Sequence, residues 1–307
     1  MKVFVHADDL GISRGITDRI IETHRHGAVR RASILANGAA FDYAVERLQE
    51  NPGLSWALHL NLVEGRCLAS RQELGLLVDR QGRFKRGFLG LLLLPILAPW
   101  CRAALRRQIR CELDAQIQRV RRALDPVGIR IDSHRYVHLI PFVFSVVMER
   151  SADWEVREIR VVNEPLFTAR SGVRGLADLI SPNLLKLPVL GVLSRSCRKQ
   201  LLRRGFACPE RTLGVLFSGR MTERVTSRGL KRIARRLPAE DAEVEVLFHP
   251  GPADPGDREV WTEDPRKSRF YFSSRRGVET AALLSPELRR WAGGISIPAG
   301  GIESEQP

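Results

Sequence analysis

The sequence predicts an α/β protein on a mainly parallel sheet, closed or nearly closed into a (β/α) barrel, most simply one of seven strands. Three observations predict it. Short β-rich runs alternate with longer helical patterns about seven times along the 307 residues. The first strand–helix turn, Ala7-Asp8-Asp9-Leu10-Gly11, lacks the G-x-G-x-x-G cradle of a dinucleotide-binding fold. Metal-competent side chains recur where the strands end, and in a parallel barrel those ends share one face.

Taken in order, the expected strands are 2–7, 31–35, 56–60, 129–132, 159–162, 214–217 and 243–248. Each is short and rich in Val, Ile, Leu or Phe. The expected helices are 15–26, 40–51, 101–123, 141–153, 227–237 and 278–284, where apolar residues recur at helical spacing. One stretch breaks the alternation. Gly87 to Trp100 reads GFLGLLLLPILAPW and runs into CRAALRRQIR. Pro95 and Pro99 divide it into two short pieces. It reads as a buried lid, or as an interfacial patch with an apolar wedge, Trp100 at the boundary and arginines toward anionic head groups. Leu184 to Arg204 repeats the apolar-then-basic theme. The expected organisation is one barrel domain over 1–290, an apolar-basic helical insertion at about 80–112, and a loose tail over 291–307.

Composition bounds the function. With 44% hydrophobic and 27% charged residues the chain is ordinary globular material, not a disordered tail or a collagen-like repeat. No apolar run reaches the roughly 18 residues of a membrane span. Five cysteines without C-x-x-C spacing argue against a disulfide framework or zinc knuckle. The strand-like Met1-Lys2-Val3-Phe4-Val5 opening carries no signal-peptide pattern, so a reducing, cytoplasmic location is expected. The net charge of +14 favours polyanionic partners, or reflects a general preference for Arg. A nucleic-acid binder is disfavoured, because no helix-turn-helix, zinc-finger or aromatic RNA-binding signature accompanies the scattered arginines. Oligomeric state is left open.

The chemistry sits at the strand ends. Asp8 and Asp9 close the first strand, His59 the third, Asp132 and His134 the fourth, and His249 the last. Singly each has a dull explanation: an Asp after a strand caps a helix, and a lone His is a core or surface residue. Jointly they aim Asp and His from four strands at one cleft. One Asp with two His makes a first shell for a divalent cation with positions left open. Imidazole and carboxylate suit zinc, manganese, iron, cobalt or nickel; magnesium would want more oxygen. An adjacent carboxylate can take a proton from an attacking water, and a free His opposite can protonate a leaving group. That is the equipment of metal-assisted amide or ester hydrolysis.

These residues lie in motifs that resemble the YdjC-like carbohydrate deacetylases, a family that includes chitooligosaccharide deacetylases and a branch associated with hopanoid biosynthesis. The motifs are HADDLGISRGITDRIIETHRHGAVRRASILANGAAFDYAV at 6–45, ALHLNLVEG at 57–65, IDSHRYVHLIP at 131–141, RVVNEP at 160–165 and FHPG at 248–251. The resemblance implies a barrel related to polysaccharide deacetylases and the removal of an N-acetyl group from an amino sugar. Carried over by motif, Asp9, His59 and His134 hold the metal, zinc, magnesium or another transition metal. Asp8 is the base, and His249 the acid or a clamp on the oxyanion. Asp132 would fix an imidazole tautomer or cap the turn.

The family often reads DSH-x-H-x-H, whereas here Tyr136 stands at the middle His and His138 remains as a spare donor. Tyr136 either lines the sugar pocket or marks altered catalysis. Asn61 and Glu64 are read as touching substrate, or else as a turn cap and a solvated acid. Arg160 and Glu164 are read as binding sugar hydroxyls, with an internal ion pair as the competing reading. The expected partner is an acetylated amino sugar, or a lipid-linked glycan met peripherally at the inner membrane face. The competing class is a sugar- or glycolipid-binding barrel with altered catalysis.

Overall fold

The computed structural model describes residues 1–170, 182–237, 242–252 and 270–292. Among these, seven strands form one all-parallel sheet: β1 (Lys2–Leu10), β2 (Arg31–Ile34), β3 (Ser55–Leu60), β4 (Ile129–Ser133), β5 (Val156–Ile159), β6 (Arg211–Leu213) and β7 (Glu243–Phe248), in the order β5-β4-β3-β2-β1-β7-β6. The sheet curls into a half-barrel. The segment before β6 reaches the β5 edge: Glu158 bridges Ala207 in parallel, the Ile159 N–H donates to the Ala207 carbonyl at 3.0 Å, and the Ala207 N–H donates to the Arg157 carbonyl at 3.0 Å. The strands are buried on both faces, as a parallel sheet under helices must be.

The helices are α1 (Arg14–Arg25), α2 (Phe41–Gln49), α3 (Phe88–Leu97), α4 (Arg102–Leu124), α5 (Pro141–Arg150), α6 (Pro182–Arg203), α7 (Glu223–Ala234), α8 (Ser274–Leu283) and α9 (Pro286–Trp291). α1 starts where Ser13 accepts a hydrogen bond from the Ile16 N–H, and it buries Ile16, Ile20 and Ile21 against the sheet. Thr222 caps α7 in the same way through Val225. After β2 the chain turns through Gly38, where a Cβ would lie 2.1 Å from the Gly11 carbonyl oxygen. Only glycine permits that approach, which seats the turns after β1 and β2 against each other.

Two strands differ from expectation. The Arg160-Val161-Val162 run is buried but outside the ladder. The Arg160 N–H still donates to the Ile131 carbonyl at 2.9 Å, but the Val162 N–H donates to Ser194 Oγ and the Asn163 N–H to Thr212 Oγ1, so side chains take over from the ladder and the strand lies earlier, at 156–159. Gly214 has φ +122°, and its absent Cβ would clash with the Leu247 carbonyl, so β6 stops at Leu213 and 214–217 turns instead.

The apolar segment differs too. Pro95 lies inside the single helix α3, near its end, where one hydrogen bond is lost. The break comes at Ala98, whose backbone (φ −129°, ψ 67°) leaves the helical region, which is disfavoured before Pro99. The path from α3 into Pro99–Leu124 bends by 102°. Among the described residues no single helix is long and apolar enough to cross a membrane. Of the tail expected over 291–307, residues from 293 onward lie outside the described residues.

Candidate active site

Asp8 and Asp9 are adjacent in β1, so regular alternation would send them to opposite faces of the sheet. The register of β1 against β2 shifts between Ala7 and Leu10, and Asp9 sits at φ +78°, a conformation that costs a non-glycine residue about 1 kcal/mol or more. This irregularity brings both carboxylates into one buried cluster at the carboxyl ends of the strands. His59 lies in β3 directly opposite Asp132 of β4. His134 follows β4 in a 3-10 turn, His134–Leu139, where Arg135 and Tyr136 take successive left-handed conformations.

Asp9 Oδ1 lies 3.3 Å from His134 Nδ1 and 4.0 Å from His59 Nε2. One ligand atom from each of the three residues falls within 4.8 Å of the others, and all three side chains are buried. The far nitrogen of each imidazole is held by a carboxylate. His59 Nδ1 lies 2.6 Å from Asp132 Oδ1, and His134 Nε2 lies 3.2 Å from Glu64 Oε2 and 3.2 Å from the Tyr271 hydroxyl. A proton on each far nitrogen leaves the two near lone pairs facing Asp9 Oδ1. That oxygen accepts no well-formed hydrogen bond in the structure, although it is buried. A divalent cation fits this donor set, two imidazoles and one carboxylate oxygen, each oriented from behind.

Neighbouring charges act on Asp9 and His134. Burial alone would raise the pKa of Asp9, but the Arg276 guanidinium, 2.5 Å away at Oδ2, and His134 hold it well below the ordinary carboxylate range. Burial disfavours a charged His134, yet Asp9 and Glu64 outweigh it and raise the imidazole, so a cation would displace a proton there.

A second cluster lies beside the first. Arg160 donates through Nη1 to both Asp8 oxygens at 2.9 and 3.1 Å, and through Nε to Glu245 Oε2 at 2.8 Å. Its Nη2 lies 2.8 Å from Asp132 Oδ2. Burial would raise Asp132 and Glu245, and Arg160 leads the groups that pull both below the usual range. His6 lies 2.7 Å from Glu245 and 2.6 Å from Ser33 Oγ, which also donates to Asp132. His6, Asp8 and Asp132 are close enough to ligate a metal, but the Arg160 guanidinium already occupies the Asp8 and Asp132 carboxylates. His249 completes the neighbourhood, with Nε2 at 3.9 Å from Asp8 Oδ2 and Nδ1 at 3.7 Å from Glu279 Oε2.

The sequence-predicted residues thus divide. Asp8, Asp9, His59, His134 and His249 come together, and Glu64 joins them as a buried partner of His134 and Arg135 rather than a solvated acid. Four others are placed away from a sugar-binding role. Arg160 is 3% exposed and bonded through its guanidinium to internal acids. Asn61 is fully buried and caps its own turn, accepting from the N–H groups of Val63 and Glu64. His138 is committed to Ser133 and to the Arg160 carbonyl, and burial lowers its pKa to about 4. Glu164 accepts from the N–H groups of Val215 and Leu216, and desolvation pushes it up to about 7. Tyr136 is buried, with Lys186 Nζ 4.8 Å from its ring centroid.

The sequence reading missed Arg276, Tyr271, His6, Ser33, Glu245 and Glu279. The signal for His6, Ser33 and Glu245 was present: polar residues inside otherwise apolar parallel strands, which are buried on both faces. Arg276, Glu279 and Thr280 lie on one face of α8, and that pattern alone also describes a solvated helix face.

Fold and site define a class: a curled parallel α/β sheet with a buried Asp/His cluster at the carboxyl ends of its strands. The sequence profile described as "YdjC-like protein" matches residues 2–293, and the chain belongs to that family. It is 29% identical to a mouse protein named carbohydrate deacetylase, covering 100% of this chain and 96% of that one. It is 34% identical over 159 residues to a carbohydrate deacetylase of Brevibacillus brevis, a match that spans 51% of this chain and 58% of the relative. The fold is similar to the crystal structure of a putative cellobiose-phosphate cleavage protein from Enterococcus faecalis, with a TM-score of 0.65, 18% identity, and coverage of 95% and 94% of the two chains.

Proposed function

We propose that this chain is a metal-dependent hydrolase that removes an N-acetyl group from an amino sugar. The observation that carries the reading is the convergence of Asp9 Oδ1, His59 Nε2 and His134 Nδ1 beside an Asp8–His249 pair. The names of the mouse and Brevibacillus relatives support the substrate class. Asp9, His59 and His134 would hold a divalent ion, which when bound supplies Lewis acidity toward a water and an acyl oxygen.

The chain's own groups supply the rest. Asp8, its oxygens fixed by Arg160, takes a proton from water as the new C–O bond forms at the acetyl carbon. His249 gives a proton to the sugar nitrogen as the C–N bond breaks, leaving acetate and a free amine. Glu279 meets His249 at both ends, accepting from its backbone N–H at 2.5 Å and facing Nδ1, and so orients the ring toward Asp8.

The test is mass spectrometry of N-acetylated amino-sugar oligomers incubated with metal-loaded protein. Loss of an acetyl mass is expected. Asp9→Ala and His59→Ala should lose metal and activity together, whereas Asp8→Asn should keep metal and lose turnover. Full activity of Asp8→Asn would refute its role.

The finer reading is a lipid-linked glycan, met from the cytoplasmic side at the inner membrane face. Its support is a surface beside the site. α3 exposes Leu89, Leu93, Ile96 and Leu97, with Trp100 following, and α6 exposes Leu185, Val189 and Val192. Both helices pack on the His134–Leu139 turn. Neither helix carries an acidic residue, and Arg102, Arg107, Arg110, Arg195 and Lys199 are exposed nearby in sequence. Flotation with anionic liposomes at low salt should carry the wild type and leave Leu93→Glu/Leu97→Glu behind; equal partitioning of both would remove the lipid reading and leave the deacetylase reading intact. The same proposal treats 1–290 as one domain with 80–112 as its insertion.

A further inference from the structure

A cavity of about 640 Å³ lies apart from the catalytic cluster, lined by Leu166, Phe167 and Thr168, by three basic residues of α7 and by Arg235, which caps that helix. Arg228, Lys231, Arg232 and Arg235 recur at i, i+3, i+4 and i+7, which places them on one helix face over a rise of about 10 Å. Arg228 with Arg232, and Lys231 with Arg235, are like-charge pairs at i,i+4, an arrangement that destabilises a bare helix.

The four charges are compensated unequally. Arg228 donates to the Ala169 carbonyl at 3.2 Å, and Lys231 feels Glu287. Among the described residues Arg232 and Arg235 pair with no acid, no carboxylate lines the cavity, and Arg232 Nε is buried without a hydrogen-bond partner. The opposite wall is apolar. Phe167 packs on Phe217 with ring centroids 5.0 Å apart, and Leu166 is exposed. Guanidinium groups converging on a recess beside an apolar wall suit a multiply charged oxyanion, whose oxygens accept paired N–H donors.

We propose that the groove between Leu166–Thr168 and α7 is a binding site for a phosphate group, separate from the catalytic cluster. The phosphate comes either from a small soluble phosphate or from a phospholipid head group. The site does not depend on the deacetylase reading, because none of its side chains belongs to the Asp/His cluster.

The test uses the full chain, treated with a chelator so that no metal in the catalytic cluster offers phosphate a second place. Inorganic phosphate is titrated by calorimetry, and vesicles of phosphatidylglycerol in phosphatidylcholine are tested by flotation. Wild type is expected to bind at least one probe. Arg232→Ala/Arg235→Ala should weaken that binding roughly tenfold or more per guanidinium lost. Arg236→Ala, exposed and absent from the cavity wall, serves as control and should bind as wild type does. Circular dichroism confirms that the double variant is folded, and its deacetylase turnover, measured separately on metal-loaded protein, should be unchanged. Variant-sensitive phosphate binding assigns the soluble source, and variant-sensitive flotation alone assigns the head group. Binding equal in wild type and double variant, or wild type binding neither probe, overturns the proposal.

Discussion

At the scale of the residue, the site is built by orientation more than by proximity. An imidazole is a ligand only through an unprotonated nitrogen, and here Asp132 and Glu64 decide which nitrogen that is. Glu64→Gln should therefore lower divalent-metal affinity about 10- to 100-fold, read by calorimetry, while the protein stays folded. Unchanged affinity would mean that the turn alone orients His134. The candidate ligands were legible in the sequence because Asp and His at the ends of apolar strands stand out. Their supports were not. Arg160 and Glu164 read as surface residues able to meet a sugar, and only the fold shows them bonded to internal acids and backbone amides. The positive φ of Asp9, which lets two adjacent acids share a face, leaves no mark in residue type.

At the scale of the element, burial of polar groups decides several outcomes that periodicity does not. Strand boundaries slipped at β5 and β6, because Ser194, Thr212 and Glu164 satisfy backbone donors that a ladder would otherwise need. Helix α4 carries a related case. Glu112 is fully buried and accepts from the N–H groups of Leu68 and Ala69 and from Gln116, yet desolvation pushes it up to about 7. A carboxyl raised in the folded state stabilises it fully below its unfolded pKa, near 4.5, and that contribution disappears as pH rises through about 7. It is worth up to about 3 kcal/mol. His138, lowered to about 4, works oppositely over much the same window, losing its contribution as pH falls. Wild-type melting alone would blend the two. The melting temperature of Glu112→Gln relative to wild type should rise between pH 5 and pH 8; a difference independent of pH would contradict the account.

At the scale of the whole molecule, the parallel sheet turns distant chain segments into one site. β1, β3, β4 and β7 deliver their terminal side chains to the same end because every strand runs the same way. That much followed from the strand–helix alternation and the polar punctuation of the strands. What the alternation did not reveal is how the curl ends, since β5 is met by backbone hydrogen bonds to Ala207, and the chain beyond it by hydrogen bonds between Asn163 and Glu210 and Thr212, that no local pattern encodes. Nor did it reveal that α3 and α6, far apart in sequence, both pack on the turn carrying His134.

The central claim is that Asp9, His59 and His134 grip one cation. Crystals grown with manganese and measured at its absorption edge test it most directly. A single anomalous peak bounded by Asp9 Oδ1, His59 Nε2 and His134 Nδ1 is the expected result, and its disappearance in Asp9→Ala should follow. A peak elsewhere, or none at millimolar manganese with these side chains as described, would contradict it.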